Sequence, residues 1–261
     1  LFDGLFVRRQ KQVKQYAQLH SELGLEEIAE RLESELGGAA AVDAAKELRQ
    51  DLAKPNGTDI MSLKVSSIAW AIDLANEIFY EATKKLLAQH PEDSLDEDGE
   101  RFWSGSRKTP KIIWFSSGDD LDRQQKLINE NYADFVRYAA RLRMEALVED
   151  SATAEDCLVT REEAVDALKK YILRHSDKER DDESTKDKIR NHLEALGGQV
   201  WSDRDQNVAE FEKDDDSNGH IAFITAASNL RAMCYGIATA DAMETRRIAG
   251  KIVPAMITTT A

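Results

Sequence analysis

Apolar residues recur at spacings of three and four along most of the chain, which is the period of one buried helix face. Three such stripes are clear, from Leu25 to Leu36, from Ile68 to Leu86 and from Ile128 to Ala146. Gly37-Gly38 and Pro91 stand just beyond the first two stripes, where each helix is expected to end. The pattern predicts at least three long amphipathic helices.

Strand patterns are few. Ile112-Ile113-Trp114-Phe115 follows Pro110 and is bounded by Ser116-Ser117-Gly118, which predicts one short buried strand. Thr160 and Glu163 form a capping box ahead of a further helix. The predicted fold class is therefore mainly α, an irregular helical domain with a few short strands.

Two acidic stretches, 92–100 and 176–188, contain few apolar residues and predict solvated loops. The second mixes charges of both signs densely and is the better candidate for a mobile insertion, but a charged loop without a role is the preferred interpretation. The chain begins at Leu1 without an initiator Met and ends in Thr258-Thr259-Thr260-Ala261 without a polar tail. We therefore expect it to be a piece of a longer protein.

Composition supports helix over sheet, since 261 residues include only 4 Pro and 13 Gly. The formal net charge of -14 argues against general nucleic-acid binding, because phosphates would be repelled. No apolar run approaches the roughly 18 residues of a membrane span, so we expect no membrane contact. The two cysteines do not make a disulfide framework and fit a reducing compartment.

Several kinds of nucleotide and metal site are excluded by spacing. Gly250-Lys251 lacks the glycine that a phosphate-binding loop requires, and the five histidines form no close pair with ligand spacing. Asp214, Asp216 and Asn218 match the opening of a calcium loop, but the last position of that loop is Thr225 instead of a bidentate carboxylate. We therefore expect no metal site in this chain.

Neither cysteine has the surroundings of a catalytic thiol. Cys234 lies on the apolar face of a predicted helix, where a packed core cysteine is the expected state despite the nearby Arg231. Cys157 follows Glu155 and Asp156, two carboxylates that disfavour a thiolate.

Four stretches carry a resemblance to a known family. FEKDDDSNGHIAFITAASNLRAMCYGI at 211–237 and RRIAGKIVPAMITTTA at 246–261 resemble ubiquitin-activating enzymes, at the return from the second catalytic-cysteine domain to the adenylation domain. The FWSG run at 102–105 and the opening LFDGLF at 1–6 are similar to the same family. The acidic form of the first stretch is closer to enzymes for ubiquitin than to those for other ubiquitin-like modifiers.

The resemblance implies a second catalytic-cysteine domain at 1–205, without its catalytic-cysteine segment, and a return segment into the adenylation domain at 206–261. It implies a thioester-forming ligase in which ATP and magnesium bind adenylation domains outside this chain, so no cofactor belongs to the fragment itself. The nucleophilic cysteine would precede Leu1, leaving no catalytic residue here and an inactive isolated fragment. Implied partners are ubiquitin, ubiquitin-conjugating enzymes and the adenylation domains of the same chain, in cytoplasm and nucleus.

The resemblance also suggests two groups of site residues. Asp119 and Asp120 occupy a turn that in some relatives lies near the cysteine, where they would support thioester chemistry; capping of the following helix is the alternative. Lys213, Asp214, Asp215 and Asp216 would form a charged joint between domains that move, with capping of the next helix as the alternative.

Two other functions stay open at this point. The parent enzyme could activate a different ubiquitin-like modifier, or the chain could be an acidic helical scaffold or binding module without any enzymatic parent.

Overall fold

The computed structural model describes residues 2–8, 11, 25–38, 41–42, 44–45, 59–105, 107–118, 120–148, 155–175 and 209–249. The helices whose bounds fall within these residues are α1 (Asp3–Arg8, π-helical), α2 (Leu25–Leu36), α3 (Ile60–Ala75), α4 (Ala82–Gln89), α5 (Arg123–Leu147), α6 (Arg161–His175), α7 (His220–Cys234) and α8 (242–249). A π-helical stretch, Asn76–Glu81, joins α3 to α4. The mainly α fold class is confirmed.

The chain divides into two compact units. The first comprises Leu1–Ser66, Leu142–Leu158 and His175–Glu210, and the second comprises Ser67–Arg141, Val159–Arg174 and Phe211–Ala261. The predicted boundary between 205 and 206 lies outside the described residues and stays a prediction. None of the helices in the described ranges combines the length and the apolar character that crossing a bilayer requires.

The core of the second unit is built around Phe135 of α5. Its ring centroid lies 5.2 Å from that of Phe79 and 5.2 Å from that of Phe223, so residues from the π-helical stretch, α5 and α7 meet at one point. All three side chains are among the most deeply buried of the described residues. Burial of this aromatic surface is the main stabilising contribution that these elements share.

A second aromatic cluster surrounds Trp114. Its ring lies 4.9 Å from Tyr132, 5.9 Å from Tyr80 and 6.2 Å from Tyr171, measured between centroids. Burial raises the pKa of Tyr171 to about 12, and it raises the pKa of Tyr132 further. Both phenols are therefore neutral hydroxyl groups at physiological pH, able to donate hydrogen bonds.

The predicted strand at 112–115 is wrong, although the segment is buried as expected at Ile113 and Phe115. Within the described ranges, the one β-bridge pairs Leu95 with Arg101 instead. Segment 111–118 runs along α5, and the hydroxyl of Tyr132 donates to the carbonyl of Ile113 at 3.0 Å. Side chains of α5 thus satisfy backbone groups that a neighbouring strand would satisfy in a sheet.

The predicted helix ends are confirmed. Glu163 N–H donates to Thr160 Oγ1 at 3.2 Å, and Thr160 N–H donates to Glu163 Oε2 at 2.8 Å, which completes the capping box of α6. Helix α2 stops before Gly37, and α4 stops two residues before Pro91. Stretch 92–100 is mostly exposed, in agreement with a solvated loop, whereas 176–188 lies outside the described residues.

In the first unit, Leu5 and Phe6 of α1 are buried together with the preceding Phe2, and the two phenylalanine rings lie 5.3 Å apart. Ala209 N–H donates to the carbonyl of Phe6 at 3.3 Å. Residues 2–6 of the opening run therefore serve as a packed helical turn.

Candidate functional site

An exposed acidic turn precedes α5. We define the acidic turn as Ser116, Ser117, Gly118 and Asp120; Asp119 lies outside the described residues. The side chains of Ser117 and Asp120 are exposed. The capping alternative is wrong for Asp120, because Gln125 N–H donates to Asp122 Oδ1 at 2.7 Å and Asp122 is the residue that caps α5.

Two side-chain amides of α5 hold the base of the acidic turn. Ser116 N–H donates to Asn129 Oδ1 at 3.0 Å, and Asn129 Nδ2 donates to the carbonyl of Ser116 at 2.7 Å. Gln125 Nε2 donates both to the carbonyl of Trp114 and to Asn129 Oδ1, each at 2.9 Å. Sequence reasoning missed both amides; the only signal was their four-residue spacing on a helix.

The acidic run from Lys213 to Asp216 does not cap α7. That helix begins at His220 after Gly219, and its first turn contains no acidic residue. The carboxylates bind elsewhere: Asp214 accepts from Lys213 Nζ at 2.6 Å, and Asp215 accepts from the backbone and hydroxyl groups of Ser217 at 2.8 and 2.7 Å. The capping alternative is therefore wrong, because the run ends too far from the helix.

Arg246 of α8 binds this run across 30 residues of sequence. Its Nη2 donates to Asp216 Oδ1, and its Nε donates to the carbonyl of Lys213 at 2.9 Å. The structure thus brings Lys213 and Asp216 together through a residue that sequence reasoning did not single out. We call Lys213, Asp214, Asp215, Asp216 and Arg246 the acidic clasp.

The geometry also argues against a calcium loop at this place. Asp216 is occupied by Arg246, and Asn218 Oδ1 accepts from His220 N–H at 2.8 Å. Thr225 lies inside α7, where its hydroxyl donates to the carbonyl of Ile221 at 2.8 Å. No group of three or more metal-ligating side chains is placed to hold an ion anywhere in the described ranges.

Both cysteines are free thiols in buried positions. Burial raises the pKa of Cys234, and the neighbouring Arg231 only partly opposes this effect. A thiol that is buried and protonated is a poor nucleophile. The prediction that Cys234 packs in a core is confirmed, and Cys157 is buried in the turn ahead of α6.

The ASNLRA motif is structural in this fold. Asn229 exchanges two hydrogen bonds with the backbone of Ala240, at 2.9 and 3.0 Å, and so fastens the segment after α7. Arg231 lies over the ring of Phe79 at 5.9 Å and donates to the carbonyl of Ile78 at 3.5 Å. The motif therefore joins α7 to its neighbours within the second unit.

His220 makes the stability of this region dependent on pH. Burial lowers its pKa, and Nδ1 accepts from Glu212 N–H at 3.0 Å, which requires neutral imidazole. Below the unfolded-state value of about 6.5, the unfolded chain takes up a proton that the folded chain still resists, so stability falls as pH falls towards the folded pKa. Well above the unfolded-state pKa of about 6.5, the histidine is neutral in both the folded and the unfolded chain, and this loss of stability is absent.

Substituting His220→Asn keeps an acceptor near Nδ1 but removes the titration. We expect the variant to lose less stability than the unmodified protein between about pH 7 and pH 5.5. In the unmodified protein, unfolding exposes His220, which then takes up a proton with a pKa of about 6.5, and asparagine takes up none. Urea unfolding at both pH values measures the difference. Equal losses in the two proteins would contradict the assignment to His220.

These features describe a mainly helical domain with a clasped acidic loop, an exposed acidic turn and two buried thiols. A family model described as "Ubiquitin-activating enzyme, SCCH domain" matches residues 1–246. The chain belongs to this family of ubiquitin-activating enzymes.

Individual relatives agree with the family match. The chain is 35% identical over 207 residues to ubiquitin-activating enzyme E1 1 of Schizosaccharomyces pombe, covering 74% of this chain and 19% of that protein. It is 35% identical over 194 residues to ubiquitin-like modifier-activating enzyme 6 of Homo sapiens, covering 68% and 17%. A 60-residue stretch is 65% identical to the Mus musculus protein of the same name, covering 23% and 6%. The chain spans only about a fifth of the length of the Schizosaccharomyces pombe and Homo sapiens relatives.

Proposed function

We propose that this chain is the second catalytic-cysteine part of an enzyme that activates ubiquitin. In the parent enzyme the ubiquitin carboxylate attacks ATP, releasing pyrophosphate and forming an acyl adenylate. A thiolate then attacks the acyl carbon, AMP leaves, and the thioester passes to the thiol of a conjugating enzyme. ATP and magnesium bind the adenylation domains, and the nucleophilic cysteine lies in the parent chain ahead of Leu1. The family match over residues 1–246 is the observation that carries this proposal.

Incubating the full-length parent protein with ubiquitin, ATP and magnesium tests the proposal. We expect a ubiquitin adduct that disappears under reducing conditions and that still forms in the Cys157→Ala and Cys234→Ala variants, because both thiols are buried. Absence of the adduct would contradict this assignment. Loss of the adduct in either variant, with adenylation unchanged, would contradict it as well.

The choice of modifier has a second candidate, because several relatives are named as activating enzymes for ubiquitin-like modifiers. Charging of the full-length enzyme with ubiquitin and with other modifiers in competition distinguishes the two possibilities. We expect ubiquitin to be preferred. A non-enzymatic scaffold is disfavoured by the family match, which extends over nearly the whole chain.

We further propose a cytoplasmic and nuclear location for the parent enzyme, which fluorescence microscopy of a tagged protein would test.

Asp119 and Asp120 are proposed to support the thioester step, either by accepting a proton or by orienting the incoming group. The exposure of Asp120 supports this role, because a reacting partner can reach its carboxylate. Thioester formation by a full-length Asp119→Ala, Asp120→Ala variant is expected to be slower than normal. An unchanged rate would remove both residues from the mechanism.

The acidic clasp is proposed to act as a charged joint at the return to the adenylation domain. Arg246 supports this role, because it binds both Lys213 and Asp216 and lies close to the residues that continue towards that domain. Because these carboxylates are exposed, removing their charges should cost little stability.

Replacing Asp214, Asp215 and Asp216 together with Asn is therefore expected to leave ATP–pyrophosphate exchange intact. Thioester formation should be slower, since the joint acts between these two steps. Single-turnover measurement of both steps on the full-length variant provides the check. Normal rates for both would reduce the clasp to a structural role.

A further inference from the structure

The segment that leads to the acidic turn is held in two different ways along its length. Its buried part is held by the apolar side chains of Ile113 and Phe115 and by the hydroxyl of Tyr132. Its exposed end, from Ser116 onwards, buries no large apolar side chain and is held by amide groups.

The amide contacts come from one face of α5. Gln125, Asn129 and Tyr132 are spaced by four and three residues, and they bind backbone groups of Trp114, Ser116 and Ile113. Asn129 satisfies both backbone groups of Ser116, as the adjacent residue of a strand would do. Gln125 fixes Asn129 in turn, so the two amides act as a pair.

The first turn of α5 also fixes the other end of the acidic turn. Asp122 follows it directly and is bound to the backbone of Gln125 at 2.7 Å. The two ends are therefore held against the first turns of α5, while Ser117, Gly118 and Asp120 project into solvent.

Fixing these exposed residues contributes nothing to the burial of apolar surface. Ordering the side chain of a glutamine also costs conformational entropy. An exposed, charged turn that is held in one conformation suits a reaction, because a reacting carboxylate is then already in position when the other reactant arrives.

We propose that Gln125 and Asn129 are positioning residues for the thioester step, which hold the acidic turn so that Asp120 meets the reacting groups in one orientation. This inference rests on the proposed function of the parent enzyme and on the role proposed for Asp120. Neither amide touches the reacting atoms in this scheme; both act through the backbone of the turn.

The test uses the full-length enzyme with Asn129→Ala and, separately, Gln125→Met, which keeps the size of the side chain but removes its two donated bonds. Each is expected to lower the single-turnover rate of thioester formation about tenfold, because misplacement of a reacting group by an ångström costs up to about a hundredfold. ATP–pyrophosphate exchange and the KM for ubiquitin should stay unchanged. Equal loss of both activities would point to general destabilisation and overturn the proposal.

Asn131→Ala is the matched control. Asn131 lies on the same helix, but its Nδ2 donates to the carbonyl of Leu127 within that helix at 2.8 Å. We expect this variant to form the thioester at the normal rate, and a defect equal to that of Asn129→Ala would contradict the proposal.

A double-mutant cycle separates the inference from the roles on which it rests. If Asn129 acts through Asp120, the Asn129→Ala, Asp120→Asn double variant should be no more than about twofold slower than the slower single variant. Multiplied effects would show independent action and overturn the proposal. A slow Asn129→Ala variant combined with a normal Asp120→Asn variant would overturn it as well. Failure of the unmodified enzyme to form any thioester would instead reject the proposed function.

Discussion

Replacing Phe135 with alanine is expected to lower the free energy of unfolding of the 261-residue chain by about 3–5 kcal/mol, the range for phenylalanine-to-alanine changes in packed cores. The phenyl ring of Phe135 is fully buried and lies 5.2 Å from the rings of both Phe79 and Phe223. Its removal leaves a cavity where three elements meet, and none of the three can close it alone. Denaturant unfolding followed by circular dichroism measures the loss.

Leu173→Ala provides the control for this substitution. Leu173 is another apolar helix residue, but 78% of it is exposed, so its truncation should change stability by no more than about 0.5 kcal/mol. If Phe135→Ala cost as little as Leu173→Ala, the aromatic junction would not be the centre of the core.

The core could be predicted because it follows one periodic rule. Phe79 and Phe135 lie in apolar stripes with helical spacing, and both proved to be buried on the faces that the stripes define. The ends of α2, α4 and α6 were equally predictable, because glycine, proline and a capping box act within a few residues of their own position.

The segment before α5 could not be predicted in the same way. A short apolar run such as 112–115 fits a buried strand or any other buried segment, and its bonding partners decide between them. Those partners are Gln125, Asn129 and Tyr132, and in sequence the two amides look like ordinary polar residues of a helix surface. The pairing becomes visible only once α5 lies beside the segment.

The acidic clasp was missed for a related reason. Three adjacent aspartates ahead of a helix suggest local capping, which is a short-range rule. In the structure, Asp216 binds Arg246, a residue 30 positions away, and nothing in the local pattern singles out that arginine from its neighbour Arg247. The candidate functional residues therefore depended on resemblance, whereas the core depended on periodicity.

Gly219→Ala is expected to destabilise the chain by about 2–5 kcal/mol, through two separate costs. The first is the backbone conformation: φ is +76°, in the left-handed region, where an alanine costs roughly 1–2 kcal/mol more than glycine. The second is overpacking, since an added Cβ would lie 3.0 Å from Cδ1 of Tyr138. The ring cannot withdraw freely, because Arg137 lies over it at 4.3 Å and also binds its hydroxyl. Overpacking of this kind costs about 1–3 kcal/mol.

Gly236→Ala separates the two costs, because Gly236 has a similar φ of +62° but nothing within 4 Å of an added Cβ. This variant should lose only the conformational part, about 1–2 kcal/mol. The difference between the two variants in urea unfolding then measures the contact with Tyr138, and a Tyr138→Ala background should abolish that difference. Equal losses in Gly219→Ala and Gly236→Ala would mean that the loop before α7 yields to the added methyl group. The acidic run of the clasp, Lys213 to Asp216, lies in that loop and would then be held less tightly than its hydrogen bonds indicate.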